Sequence, residues 1–107
     1  MEPNVTDAGI RSRPHRALSL RLYVAGESQT SVVAIANLTT ACREHLEEMP
    51  AIEIVDILAD PIRAFADGVF VTPLLVRLSP TPVVRIVGDL SERSALRIAL
   101  GPDVAER

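Results

Sequence analysis

The apolar positions of this chain change period several times, and each change marks an element. In Leu18-Ser19-Leu20-Arg21-Leu22-Tyr23-Val24 the leucines and the valine alternate with other residues. That period of two is the signature of a strand with one face on a core. Gly26 closes the segment. Ser28, Thr30 and Ser31 are N-cap candidates for the next segment, in which Val32, Ile35, Leu38, Cys42 and Leu46 recur at helical spacing. The pattern predicts a helix of about four turns from Thr30 to about Leu46. Pro50 breaks it, and Ile52, Ile54, Val55 and Ile57 predict a second strand that ends at Leu58. Asp60-Pro61 places a cap before a proline at the first helical position. A short helix is expected from there to Ala66, before Asp67-Gly68 turns the chain.

Val71 to Leu78 and Val83 to Val87 read as two further strands. Ser79-Pro80-Thr81-Pro82 joins them and is short enough to make them antiparallel neighbours. Gly88-Asp89-Leu90-Ser91 closes this hairpin, and Ser91 is the expected cap of a last helix. The apolar positions of that helix, Leu90, Leu96, Ile98 and Leu100, run up to Gly101-Pro102. Residues 1–16 hold two prolines, a glycine and several charges with no apolar period. They are expected to form a disordered or loosely attached tail ahead of a domain spanning residues 17–107.

The resulting order, βαβαββα, predicts an α/β fold of thioredoxin-like type. The first strand-helix-strand unit supplies a right-handed parallel crossover, and the hairpin adds an antiparallel pair, giving a mixed four-stranded sheet with three helices. A ferredoxin-like sandwich is the nearest rival, and the helix between Asp60 and Ala66 argues against it. At 107 residues there is room for one domain with a single core.

Composition narrows the function. Every one of the 11 cationic side chains is an arginine, spread along a chain of net charge −3. No basic patch forms the electrostatic footprint that nucleic-acid binding needs. The longest apolar runs are a few residues, far from the ~20 that span a bilayer. A single cysteine, Cys42, excludes an intramolecular disulfide, and no stretch reads as a secretory signal, so a cytoplasmic protein is expected.

Candidate chemistry is sparse. A thioredoxin-like enzyme places Cys-x-x-Cys where the first strand meets the first helix, because the helix N-terminus stabilises thiolate. Here that place reads Gly26-Glu27-Ser28-Gln29. Cys42 lies about three turns further on, as a buried small hydrophobe; a thiol-dependent enzyme built on it is the catalytic alternative. His15 and His45 are thirty positions apart with no second ligand at useful spacing. Glu44, His45, Glu47 and Glu48 read as a solvated helix end. Asp56, Asp60 and Asp89 stand where strands, caps and turns use a carboxylate, and no phosphate-binding or nucleophile motif occurs. No catalytic residue, metal or cofactor is therefore assigned, and the chain is expected not to be an enzyme. Pro73, in Val71-Thr72-Pro73, is expected to follow a cis peptide bond at the entry to the third strand.

Four segments in register, Leu20 to Gly26, Ile54 to Leu58, Val71 to Pro73 and Arg85 to Ser91, resemble the KaiB family of circadian clock proteins. The similarity covers about Leu18 to Leu100. The N-terminal domain of the sensor kinase SasA is a relative with a similar start. The resemblance implies a non-enzymatic protein that docks on the hexameric KaiC ATPase and regulates its phosphorylation cycle. It further implies sequestration of KaiA where that partner exists and competition with the sensor histidine kinase for one site. A paralogue acting in stress or two-component signalling is the alternative. The resemblance also implies a second, tetrameric fold, and monomer, dimer and tetramer stay open. Carried over residue by residue, Arg16, Arg77 and Arg85 match basic positions of the family's partner surface, and Ala51 matches a small residue at the start of an edge strand. Glu53 and Gly68 fall where lysine is frequent in the family, and Val33 and Val84 replace arginine. In the last helix Ala99-Leu100-Gly101 stands where switching members carry Gly-Leu-Asp. The alanine favours helix by roughly 1 kcal/mol, so Ala99 and Gly101 are expected to favour the thioredoxin-like state.

Overall fold

A computed structural model describes residues 18–101. The expected tail, Arg16 and His15 lie outside the described residues, as does the segment after Gly101. Seven elements succeed one another: β1 (Ser19–Val24), α1 (Gln29–His45), β2 (Ala51–Asp56), α2 (Pro61–Ala66), β3 (Leu74–Ser79), β4 (Val84–Val87) and α3 (Arg93–Leu100). They form one four-stranded sheet in the order β2-β1-β3-β4. β1 pairs parallel with β2, and β3 runs antiparallel to both β1 and β4. The mixed four-stranded sheet and the element order βαβαββα are those that the periodicity predicts.

Alternation along the strands builds two cores. Leu20, Leu22 and Val24 of β1 point to one face with Leu75, where Ala34, Leu38, Ala41 and Cys42 of α1 and Leu96 and Leu100 of α3 cover them. Tyr23, Val55, Leu74 and Val76 point to the other, where Ala64 of α2 and Val69 close over them. Burying each leucine contributes about 1.5–3 kcal/mol, so β1, buried on both faces, is the centre of the fold.

The helix boundaries reflect local chemistry. Ser28 caps α1, its Oγ accepting from the Ser31 amide at 3.3 Å. The buried stripe then runs Ser31, Ala34, Leu38, Ala41, Cys42, whereas Val32 and Ile35, expected inward, are 54% and 37% exposed. The reason is steric and polar at once. Small residues let the helix sit close to the sheet, and Ser31 Oγ satisfies the Ala25 amide there (3.1 Å). Asp60 caps α2 ahead of Pro61, as expected, its carboxylate accepting from the Arg63 amide.

Three boundaries differ from the prediction. β2 ends at Asp56 rather than Leu58, because the Asp56 carboxylate accepts from the Gly26 and Leu58 amides, both at 2.9 Å, and turns the chain. β3 begins at Leu74 rather than Val71; its entry contains the buried Pro73, whose peptide bond is cis. The Ser79-Pro80 and Thr81-Pro82 bonds are cis as well. Ser91 does not cap α3. Its amide donates to Asp89 Oδ1 (3.0 Å), and the N-cap is Glu92, which makes no capping bond through its side chain.

Candidate docking surface

The place where thioredoxins carry their redox pair is the β1–α1 turn. Gly26 there has φ of +59°, and a Cβ would meet Leu58 Cδ1 at 3.1 Å, so glycine is the residue this turn accepts. Ser28 and Ser31 bond each other across the first turn of α1 (2.8 Å). Cys42 is fully buried on α1, and burial pushes its thiol up to about 11, so thiolate is disfavoured near neutral pH. Among the described residues no group of three or more His, Cys, Asp or Glu side chains is arranged to hold a metal ion, and no helix is long and apolar enough to cross a membrane. His45 and Glu44 line a cleft of about 160 Å³ between α1 and α3. Across it Glu44 pairs with Arg93 at 3.0 Å.

The largest exposed apolar groups collect elsewhere, on α2 and its flanks. In this six-residue helix Ala64 is the one buried position. Ile62 and Phe65, three residues apart and therefore on one face, are 81% and 78% exposed. The chain folds back under them through the Val69 amide, which donates to Ala64 O (2.9 Å). It then presents Phe70 at 82% exposure, with Val71 next to it. Both phenylalanines of the protein are thus on the outside. Leu58, in the turn between β2 and α2, is 69% exposed. Periodicity alone does not single these positions out. Their signal in the sequence is the mismatch between a helix too short to bury two faces and the Ile and Phe it carries, with a second Phe four residues past its end.

A charge network ties this helix to the sheet. Arg21 of β1 stands opposite Glu53 of β2 in the parallel register, and its Nε donates to Glu53 Oε1 at 2.7 Å. Arg63 of α2 donates to both Glu53 oxygens, at 2.7 and 3.0 Å. Its Nε also lies 3.5 Å from Asp67 Oδ2, which accepts from the Tyr23 hydroxyl at 2.7 Å. The paired arginines, Arg63 foremost, hold the Glu53 carboxyl down at about 2, and Glu53 in turn raises Arg63 further above the usual guanidinium value. Burial raises the Tyr23 hydroxyl.

Of the residues carried over from the family pattern, the three described ones, Ala51, Arg77 and Arg85, do not assemble into one patch. Ala51 is exposed at the first position of β2, and Arg85 is exposed on β4, at the opposite edge of the sheet. Arg77, expected at the partner surface, is only 6% exposed. Its burial has a plain cause. β3 is an inner strand, and the Arg77 guanidinium is spent inside, donating from Nη1 to Ala99 O (3.1 Å) and from Nη2 to Pro82 O (2.9 Å). Ala99 is 1% exposed, and Gly101 ends α3 at φ of +118°.

Fold and site together define a thioredoxin-like domain whose redox position holds no cysteine. Solved structures agree on the fold. The N-terminal domain of Synechococcus elongatus SasA superposes with a TM-score of 0.66 at 18% identity, over 85% of this chain and 88% of that one. Chloroplastic thioredoxin z gives 0.67 at 13%, over 86% and 81%. The KaiB domain family model matches residues 21–102. Circadian clock protein KaiB3 of Synechocystis sp. is 41% identical over 79% of this chain and 81% of its own length. Circadian clock oscillator protein KaiB of Synechococcus elongatus is 37% identical over 81% and 85%. The chain belongs to the KaiB family.

Proposed function

We propose that this KaiB-family chain is a non-enzymatic docking component of a timing system, acting in the cytoplasm. It binds a KaiC-type ATPase through the α2 face and regulates that enzyme's phosphorylation cycle. The observation that carries the reading is the exposure of Ile62, Phe65 and Phe70 together. Exposed aromatic and aliphatic anchors gathered on a short helix and the segment after it are what a partner's pocket buries. KaiA, where present, and a sensor histidine kinase are further partners of the same reading, and the likeness to the SasA N-terminal domain supports competition with such a kinase. A role in two-component or stress signalling outside a clock is the second reading. It draws on Glu53, which is engaged by Arg21 and Arg63 at a position where lysine is frequent in the family.

Size-exclusion chromatography with light scattering, run with the KaiC-type ATPase and ATP, tests the first reading. Co-elution is expected for the wild type, and Ile62→Asp/Phe65→Asp should weaken it by ~100-fold or more, as loss of two anchor residues does. Absence of a complex, or a double variant that binds as well as the wild type, would overturn it.

A further inference from the structure

We propose that Glu53 makes the α2 face an apolar docking surface without free positive charge, selecting a partner whose contact region is apolar rather than acidic. This rests on the reading of α2 as the docking element, and adds what that element selects. Two arginines, Arg21 and Arg63, stand beside the exposed anchors, and on their own they would make the face cationic. Glu53 engages both, Arg63 through two hydrogen bonds and Arg21 through one. Asp67 lies within 4.0 Å of Arg21 and 3.5 Å of Arg63. Two cations thus meet two carboxylates, and the local sum is zero. Asp60, which caps the same helix and is exposed, tips the balance to the negative side.

No other cation among the described residues takes their place. Arg77 is buried, and Arg93 pairs with Glu44. Arg43 is on α1 and Arg97 on α3, which cover the opposite face of the sheet. Arg85 stands opposite Val76, on the α2 side of the sheet, but on the edge strand β4, two strands away from β1. At physiological salt exposed charges act over about 8 Å, so charges across the sheet, or two strands away at ~10 Å, reach Arg21 and α2 weakly. Among the described residues an acidic partner surface would therefore find no unpaired counter-charge on α2, while Ile62, Phe65 and Phe70 stay available for apolar contact. Discrimination of this kind comes from withholding an attractive charge as much as from offering a contact.

Paramagnetic relaxation by two cosolutes of equal size, one anionic and one cationic, reads the local potential with no partner present. Over the amides of residues 62–67 the wild type should show no excess relaxation by the anionic probe, and Glu53→Gln should raise the anionic-to-cationic ratio there by ~2-fold. Glu53→Ala, read the same way, covers the case in which a glutamine amide disturbs the strand. An anionic excess in the wild type, or an unchanged ratio in both variants, overturns the proposal.

Binding then tests the selectivity, with the KaiC-type ATPase as probe. Wild-type affinity should change by less than ~3-fold between about 0.05 and 0.5 M salt. A tenfold or greater loss over that range, in a complex still abolished by Ile62→Asp/Phe65→Asp, overturns the proposal and leaves the docking reading standing. A wild-type chain that binds no better than the double variant overturns the docking reading, and the selectivity with it.

Discussion

Single side chains set the pH behaviour of this domain. Glu53 has its folded-state pKa held at about 2 by Arg63 and Arg21, and Asp56 is lowered chiefly by the Gly26 amide. Both shifts are depressions, so both groups stabilise the fold fully above the unfolded carboxylate range of about 4. That contribution is lost as the pH falls through the folded pKa. Thermal midpoints measured between about pH 5 and pH 2 should therefore drop steadily, and Glu53→Gln should flatten the drop while lowering the plateau near neutrality. A variant as acid-sensitive as the wild type would show that the network does not couple to folding. Leu90 is a different kind of special residue. It has φ of +66° and is 3% exposed, so a backbone strain of roughly 1 kcal/mol is accepted to place its side chain in the core. Asn37 steadies that turn by donating from Nδ2 to Asp89 O (2.9 Å).

Among the elements, α3 depends on others more than on itself. It spans eight residues with no side-chain N-cap bond, well short of the ~12 at which an isolated helix becomes stable. Its buried stripe, Leu96, Ala99 and Leu100, and the Arg77 guanidinium at the Ala99 carbonyl hold it in place. A cation at a helix C-terminus also complements the dipole. The same guanidinium holds Pro82 O, so one residue of β3 fastens both α3 and the β3–β4 turn. Arg77→Ala should cost about 2–4 kcal/mol through lost charged hydrogen bonds and packing. Amide hydrogen exchange should speed up first over residues 93–100. A stability change below ~0.5 kcal/mol, the ordinary surface range, would show that the tie is dispensable.

For the whole molecule the open matter is how firmly this one fold is held. Ala99 buries its methyl group at 1% exposure and adds helix propensity, so reversal to glycine removes roughly 1 kcal/mol of propensity and ~0.8 kcal/mol of burial. We expect the purified protein to scatter light as a monomer or dimer with helical amide shifts over residues 93–100, and Ala99→Gly to lower its thermal midpoint by ~5–10 °C. A wild-type tetramer without helix over those residues would contradict this.

Much of the fold was legible in the chain. Element order came from shifts between periods of two and 3.6, and turns from Gly26, Pro50, Asp60-Pro61 and Gly88. These signals are local, because each records how one segment meets one core. The periodicity was less informative within α1, where Val32 and Ile35 are as apolar as Leu38 yet face outward; close approach to the sheet rewards Ser31 and Ala34 instead. At the site the reach was shorter still. The absence of cysteine at Glu27 and Ser28 could be read directly, since that position is tied to one turn. The burial of Arg77, and the separation of Ala51 from Arg85 by the full width of the sheet, could not. By itself the sequence determined which segments become strands and helices, and that no redox pair stands at the first turn. Only the tertiary structure decided which arginines are spent inside, which are quenched by Glu53, and which apolar side chains are left uncovered, because those outcomes depend on partners distant in the chain and on which strand ends up at an edge.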